Sequence, residues 1–143
     1  MLIMVILLMG NNVFSQNTTT LLNNYMNVKN ALVSADEKGV SKAISILYES
    51  IKDESNFAEK EVLLKATEKM SKANGIEKQR AVFNDVSTTI WKVVKKADKV
   101  EQPVYYQYCP MKKAYWLSKE KEIKNPYYGS SMLTCGNVSE TKK

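Results

Sequence analysis

Residues 76–97 read IEKQRAVFNDVSTTIWKVVKKA. Phe83, Val86, Ile90, Val93, Val94 and Ala97 fall on one side of a 3.6-residue spiral, with charges and amides on the other. Such a stripe predicts an amphipathic helix that must bury one face, and it ends before Pro103, which cannot continue a helix. Upstream, Asn74-Gly75 stops a third stripe carried by Phe57, Leu63 or Leu64, Ala66 and Met70. The polar run Lys52 to Asn56 is a turn. Before it, Val40, Ala43, Ile44, Leu47 and Ile51 mark a second helix, opened by the capping-box spelling Ser34-Ala35-Asp36-Glu37. The first stripe, Leu21, Tyr25, Val28 and Leu32, spans about Thr19 to Ala35.

Four single-faced helices with short connections predict an up-and-down antiparallel four-helix bundle over residues 16–102. Burial of the four stripes drives folding, at roughly 25 cal/mol per Å² of apolar surface. Met26 and Met70 read as core filler, and Trp91, Phe57 and Phe83 as core.

After Pro103 the texture changes. Tyr105, Tyr106, Tyr108, Tyr115, Trp116, Tyr127 and Tyr128 crowd into 24 residues. Two β-prone runs, Val104 to Tyr108 and Ala114 to Leu117, flank Cys-Pro-Met-Lys-Lys and predict a small hairpin. Asn125-Pro126 and Gly129 mark irregular backbone, and residues 139–143 read as a frayed polar tail. The expected fold class is mainly α: an antiparallel four-helix bundle with a small C-terminal β-hairpin and irregular segment at 103–138.

The chain has 143 residues, enough for one domain with a core and too few for two. Its hydrophobic content of 44% and charged content of 25% suit a globular protein. Lysines give most of the net charge of +6, but they are interspersed with acidic residues and Arg80 is the single arginine. Nucleic-acid recognition favours arginine, so the charge reads as solubility.

Leu2 to Met9 is an uninterrupted apolar run, followed by Gly10-Asn11-Asn12-Val13-Phe14-Ser15. It predicts a signal peptide over residues 1–15, cut after Ser15, although no basic residue precedes the run. The run is shorter than the ~18 residues of a spanning helix, so no stable membrane insertion is expected once it is removed. The remaining 16–143 form a single exported domain, in an oxidising compartment.

Both cysteines lie in two sulfur pairs: Cys109-Pro110-Met111 and, 20 residues on, Met132-Leu133-Thr134-Cys135. Thiolate and thioether are soft donors that suit Cu(I), and the chain has no histidine. Cys109, Met111, Met132 and Cys135 are therefore candidate ligands for Cu(I). Tyr106, Tyr108, Trp116 and Tyr128 are candidates to surround the ion and exclude water and oxidant. The competing reading is a disulfide between Cys109 and Cys135, closing a loop worth ~3.5 kcal/mol in the chain-entropy model. The residues leave both open, and the two states could alternate with redox conditions. Catalysis is not expected, because the chain lacks histidine for a triad and a glycine-rich phosphate loop.

Several segments carry a family likeness: Gln79-Arg80-x-x-Phe83-x-x-x-Ser87, Tyr105-Tyr106-x-Tyr108-Cys109-Pro110-Met111, and Tyr115-Trp116-Leu117-Ser118. They continue in Ile123-x-Asn125-Pro126-Tyr127-Tyr128-Gly129-x-x-Met132-Leu133-x-Cys135-Gly136. With these the chain resembles an uncharacterised family of exported Gram-negative proteins whose domain also forms the C-terminal part of some CusB-type heavy-metal efflux adaptors. The resemblance implies a periplasmic helical domain associated with copper or related metals, either free or fused to an efflux component. It also implies Cys109, Met111, Met132 and Cys135 as ligands. This chain departs from the family pattern in two ways. It has no histidine in its helical part, and only Lys112-Lys113-Ala114 separates the Cys-Pro-Met from Tyr115.

Overall fold

The computed structural model describes residues 13–143, and their side chains from Thr18 onward. The signal peptide expected over 1–15 lies outside the described residues, except for its last three positions. Four helices come first: α1 (Val13–Val33), α2 (Glu37–Asp53), α3 (Lys60–Ser71) and α4 (Ile76–Lys96). Each packs on the next, and α1 also packs on α4. The predicted stripes are the buried faces. Tyr25, Leu32, Ile44, Leu47, Ile51, Leu63, Met70, Phe83 and Ile90 are fully buried.

The connection from α1 to α2 is short, residues 34–36. The Ala35 N–H donates to the Leu32 carbonyl at 3.1 Å, and the Asp36 N–H donates to the Ala31 carbonyl at 3.0 Å. This is the paired closure of a helix C-terminus, with Ala35 at φ 53° in the left-handed position where glycine is usual. Asp36, rather than Ser34, then caps α2 by accepting the Gly39 N–H at 3.0 Å. Glu37, the first residue of α2, accepts the Gly75 N–H at 3.0 Å and so ties α2 to the α3–α4 turn. Phe57 precedes α3 rather than starting it, and packs half-buried against the core from the loop.

The C-terminal part forms a three-stranded antiparallel sheet and not a hairpin: β1 (Val104–Cys109), β2 (Ala114–Ser118) and β3 (Asn137–Lys142), in the order β2-β1-β3. The residues expected to fray thus form most of β3. Their polar spelling carries no apolar alternation, because the strand is largely exposed. It is made instead by backbone pairing along the second edge of β1. Side chains from α4 anchor it. Trp91 Nε1 donates to Glu140 at 2.7 Å, Lys95 pairs with Glu140 at 3.7 Å, and Lys142 Nζ reaches the Lys95 carbonyl at 3.2 Å.

The sheet lies on α4 through stacked rings. The Trp91 and Tyr106 centroids are 4.6 Å apart, and those of Tyr106 and Tyr115 are 4.5 Å apart. The free edge of β2 is closed by side chains. Its Tyr115 N–H donates to Asn84 Oδ1 at 2.8 Å, its Leu117 N–H donates to the Tyr25 hydroxyl at 3.0 Å, and its Tyr115 carbonyl accepts from the Tyr127 hydroxyl at 2.5 Å. Beneath that edge the Tyr25 hydroxyl also meets Ser87 Oγ at 2.7 Å. Backbone groups left bare at a sheet edge invite foreign strands. Here they fix β2, and through it β1, to the helices.

Arg80 fastens the long connection between β2 and β3 to the helices. Its Nε donates to the Pro126 carbonyl at 3.0 Å, its Nη2 donates to the Leu32 carbonyl at 3.1 Å, and its Nη1 pairs with Glu77 at 2.6 Å. Gly129, at φ 60°, passes so close to this guanidinium that a Cβ would lie 2.8 Å from Nη2. The same connection ends in a 3-10 turn, Gly129–Met132, just before the second cysteine.

Candidate metal centre

Cys109 is the last residue of β1. It lies opposite Ala114 and is fully buried. Cys135 lies in the short stretch between the 3-10 turn and β3, half-buried, with its N–H donating to the Met132 carbonyl at 3.1 Å. The pairing of Tyr108 with Asn137 carries that stretch back alongside the end of β1. The two thiols come near one another there, close enough for Cys109 to act on Cys135 electrostatically, and both are free. Burial raises the Cys135 thiol above its ordinary pKa, and the neighbouring Cys109 adds to the rise.

The two methionines are placed differently. Met132 closes the 3-10 turn, half-buried, three residues before Cys135. Met111 stands 65% exposed on the β1–β2 turn. Among the described residues no group of three or more histidine, cysteine, aspartate or glutamate side chains could hold a metal. Thiols as such are soft donors, of the kind that suits Cu(I) better than Mg²⁺ or Ca²⁺.

Strand alternation divides the aromatic residues around the thiols. Cys109 shares its face of the sheet with Gln107, Ala114 and Trp116, because directly paired residues lie on one face. Tyr106 and Tyr108 lie on the opposite face with Tyr115, whose ring is 4.6 Å from that of Tyr108. Trp116 is fully buried, and its ring reaches Gly136, where a Cβ would sit 2.8 Å from Cη2 and 2.9 Å from the Tyr108 carbonyl. Gly136 at φ 146° thus lets the chain leave Cys135 while lying flat on Trp116. Tyr128 is half-buried, with the Lys112 ammonium 4.9 Å from its ring centre.

Two residues outside the sequence-derived set matter as much. Tyr127 is buried, stands edge-on to Trp116 at 6.2 Å, and feels Cys109 electrostatically. Burial, then its neighbours, hold its hydroxyl protonated well above the ordinary range. Asn125 is fully buried and holds the Cys135 stretch by its backbone. Asn125-Pro126 signalled a turn, and the turn is what aims both residues inward.

A family model described as a protein of unknown function, DUF3347, matches residues 21–102. The chain belongs to the DUF3347 family. The DUF3347 match takes in the helices from Leu21 on and stops just before β1, so the cysteine pair lies downstream of it. Gln79, Arg80, Phe83 and Ser87 fall inside the match, whereas the Cys-Pro-Met and Asn-Pro-Tyr-Tyr-Gly segments fall outside. No curated protein and no solved structure matches the chain. Among the described residues no helix is long and apolar enough to cross a membrane.

Proposed function

We propose that this protein is an exported, periplasmic binding protein for a soft metal ion, Cu(I), which it buffers or passes to a heavy-metal efflux adaptor. The observation that carries this reading is the approach of the two thiols, Cys109 and Cys135, from stretches far apart in sequence. In this reading the four helices form an antiparallel bundle that acts as a rigid base, and the segment after Pro103 is the metal-binding part. Cys109 and Cys135 supply affinity. Met132 and the exposed Met111 are weaker donors that exchange first, with Met111 placed to meet an ion from outside. Trp116 and Tyr128, with Tyr127, shield the sulfurs. Catalysis forms no part of the proposal.

Copper would bind as the thiols lose their protons, so its affinity should rise with pH toward the raised value of Cys135. Titration of the reduced protein with Cu(I) against a competing chelator tests the assignment. One tight site is expected, weakened far more by Cys135→Ser than by Met70→Leu, which changes a buried core position. Equal effects from the two substitutions would refute it.

The same approach of the thiols favours a second reading, in which Cys109 and Cys135 form a disulfide and the domain is a metal-free interaction module of the cell envelope. Mass spectrometry of protein taken directly from the envelope separates the two. Cysteines fully oxidised and resistant to mild reductant favour the staple.

A further inference from the structure

We infer that Asn125 is the positioning residue of the thiol pair: its buried carboxamide and backbone hold the Cys135 stretch in the one place where the second sulfur faces the first. This rests on the reading that Cys109 and Cys135 act together.

Cys109 needs no such help, because pairing with Ala114 and full burial fix it at the end of β1. Cys135 lies outside regular structure, between the 3-10 turn and β3. Asn125 Nδ2 donates to the Cys135 carbonyl at 2.7 Å, and its backbone N–H donates to the Leu133 carbonyl at 2.7 Å. One residue therefore captures the carbonyls on both sides of Thr134. Its Oδ1 is occupied as well, accepting the Tyr127 N–H at 2.8 Å. That bond fixes the carboxamide's orientation, so Nδ2 must point at Cys135. On the far side, Gly136 lies against Trp116 and the Tyr108 carbonyl. The Cys135 backbone is pinched between these two contacts, and its side chain is left facing Cys109.

The chemistry requires this residue type. The position needs one acceptor for Tyr127 and one donor for Cys135 on a short side chain, which asparagine supplies and aspartate does not. A loop cysteine without the clamp would sample many positions, and the effective concentration of one thiol at the other would fall.

The test reads the thiols and not the metal. Folded protein is equilibrated with reduced and oxidised glutathione, and the ratio of dithiol to Cys109–Cys135 disulfide is measured by acid trapping and mass spectrometry. In that exchange the two thiols lose two protons and two electrons, and one oxidised glutathione is reduced to two thiols. Asn125→Asp keeps the acceptor for Tyr127 and removes the donor to Cys135. Asn125→Ala removes the donor and the acceptor together, with no new charge. Each should lower the equilibrium constant for disulfide formation at least about fivefold, the low end for losing a buried hydrogen bond. Ile44→Val, which trims a fully buried side chain on α2, should leave it unchanged. In the unsubstituted protein the Asn125 carboxamide protons should exchange slowly with solvent. An unchanged equilibrium constant in the Asn125 variants overturns the inference, as does rapid exchange of those protons. A protein that binds no Cu(I) yet shows the Asn125 effect removes the copper reading and leaves the clamp standing. Copper binding with no Asn125 effect does the reverse.

Discussion

Joining Cys109 to Cys135 by oxidation closes a loop from residue 109 to residue 135, and the structure sets how much this should stabilise the fold. The thiols already lie near one another, so the bond should form with little movement of β1 or the loop. The gain then comes from the unfolded chain, which loses freedom when the loop is closed, and the chain-entropy relation gives about 3.5 kcal/mol. The reduced and the oxidised protein can each be unfolded in urea, with unfolding followed by tryptophan fluorescence from Trp91 and Trp116. With a denaturant slope of about 1.5 kcal/mol per molar, the midpoint should move up by roughly 2 M on oxidation. In Cys135→Ser the oxidised and reduced treatments should give one midpoint. Coincident midpoints for the unsubstituted protein, or oxidation that yields only covalent dimers, would refute the placement of Cys135 beside Cys109. Every functional proposal above would then lose its geometric basis.

Tyr25→Phe keeps the ring stacked on Phe83 at 5.3 Å but leaves the Leu117 N–H without a partner, while Ser87 still has Tyr127 beside it. One buried N–H left unpaired predicts a loss of about 1–3 kcal/mol in urea unfolding, and a loss below about 0.5 kcal/mol would refute the seal on β2. Lys29 is buried on α1, and desolvation lowers its pKa, partly countered by Glu120 and added to by Lys124. The unfolded chain then keeps the Lys29 proton up to about 10.5 while the folded chain releases it earlier. Over that window the unfolded state binds more protons, so this group makes stability rise with pH. Lys29→Met should remove that rise, seen as a smaller pH dependence than the unsubstituted protein in unfolding measured from neutral pH to about 9.5. An unchanged pH dependence would show that Lys29 is solvated.

The helices were legible because each stripe recurs at helical spacing and one buried face decides each element. Their ends were less so. Phe57 reads as periodic with α3, yet it packs from the loop, since an aromatic ring can reach the core without helical backbone beneath it. β3 was hidden for a different reason: an exposed edge strand is specified by its partner's backbone, and nothing in Asn-Val-Ser-Glu-Thr-Lys advertises that partner. At the candidate site the two cysteines could be picked out by their chemistry. The expected ring of aromatics was not met in full: Tyr106 and Tyr108 differ from Cys109 in strand parity, which puts them on the opposite face of the sheet. Asn125 was not readable as a clamp, because its three hydrogen bonds run to backbone groups that no side-chain pattern encodes.

The side-chain seal along β2 makes the sheet one-sided toward other molecules. With Asn84, Tyr25 and Tyr127 occupying that margin, a strand from another chain could join only beyond β3. There the ladder skips a residue at Ser139, and the charged residues Glu140 and Lys142 follow the skip, features that discourage stacking of copies. Fusing a tag directly after Lys143 prolongs this margin, so a soluble spacer belongs between the two in any crystallisation or binding experiment.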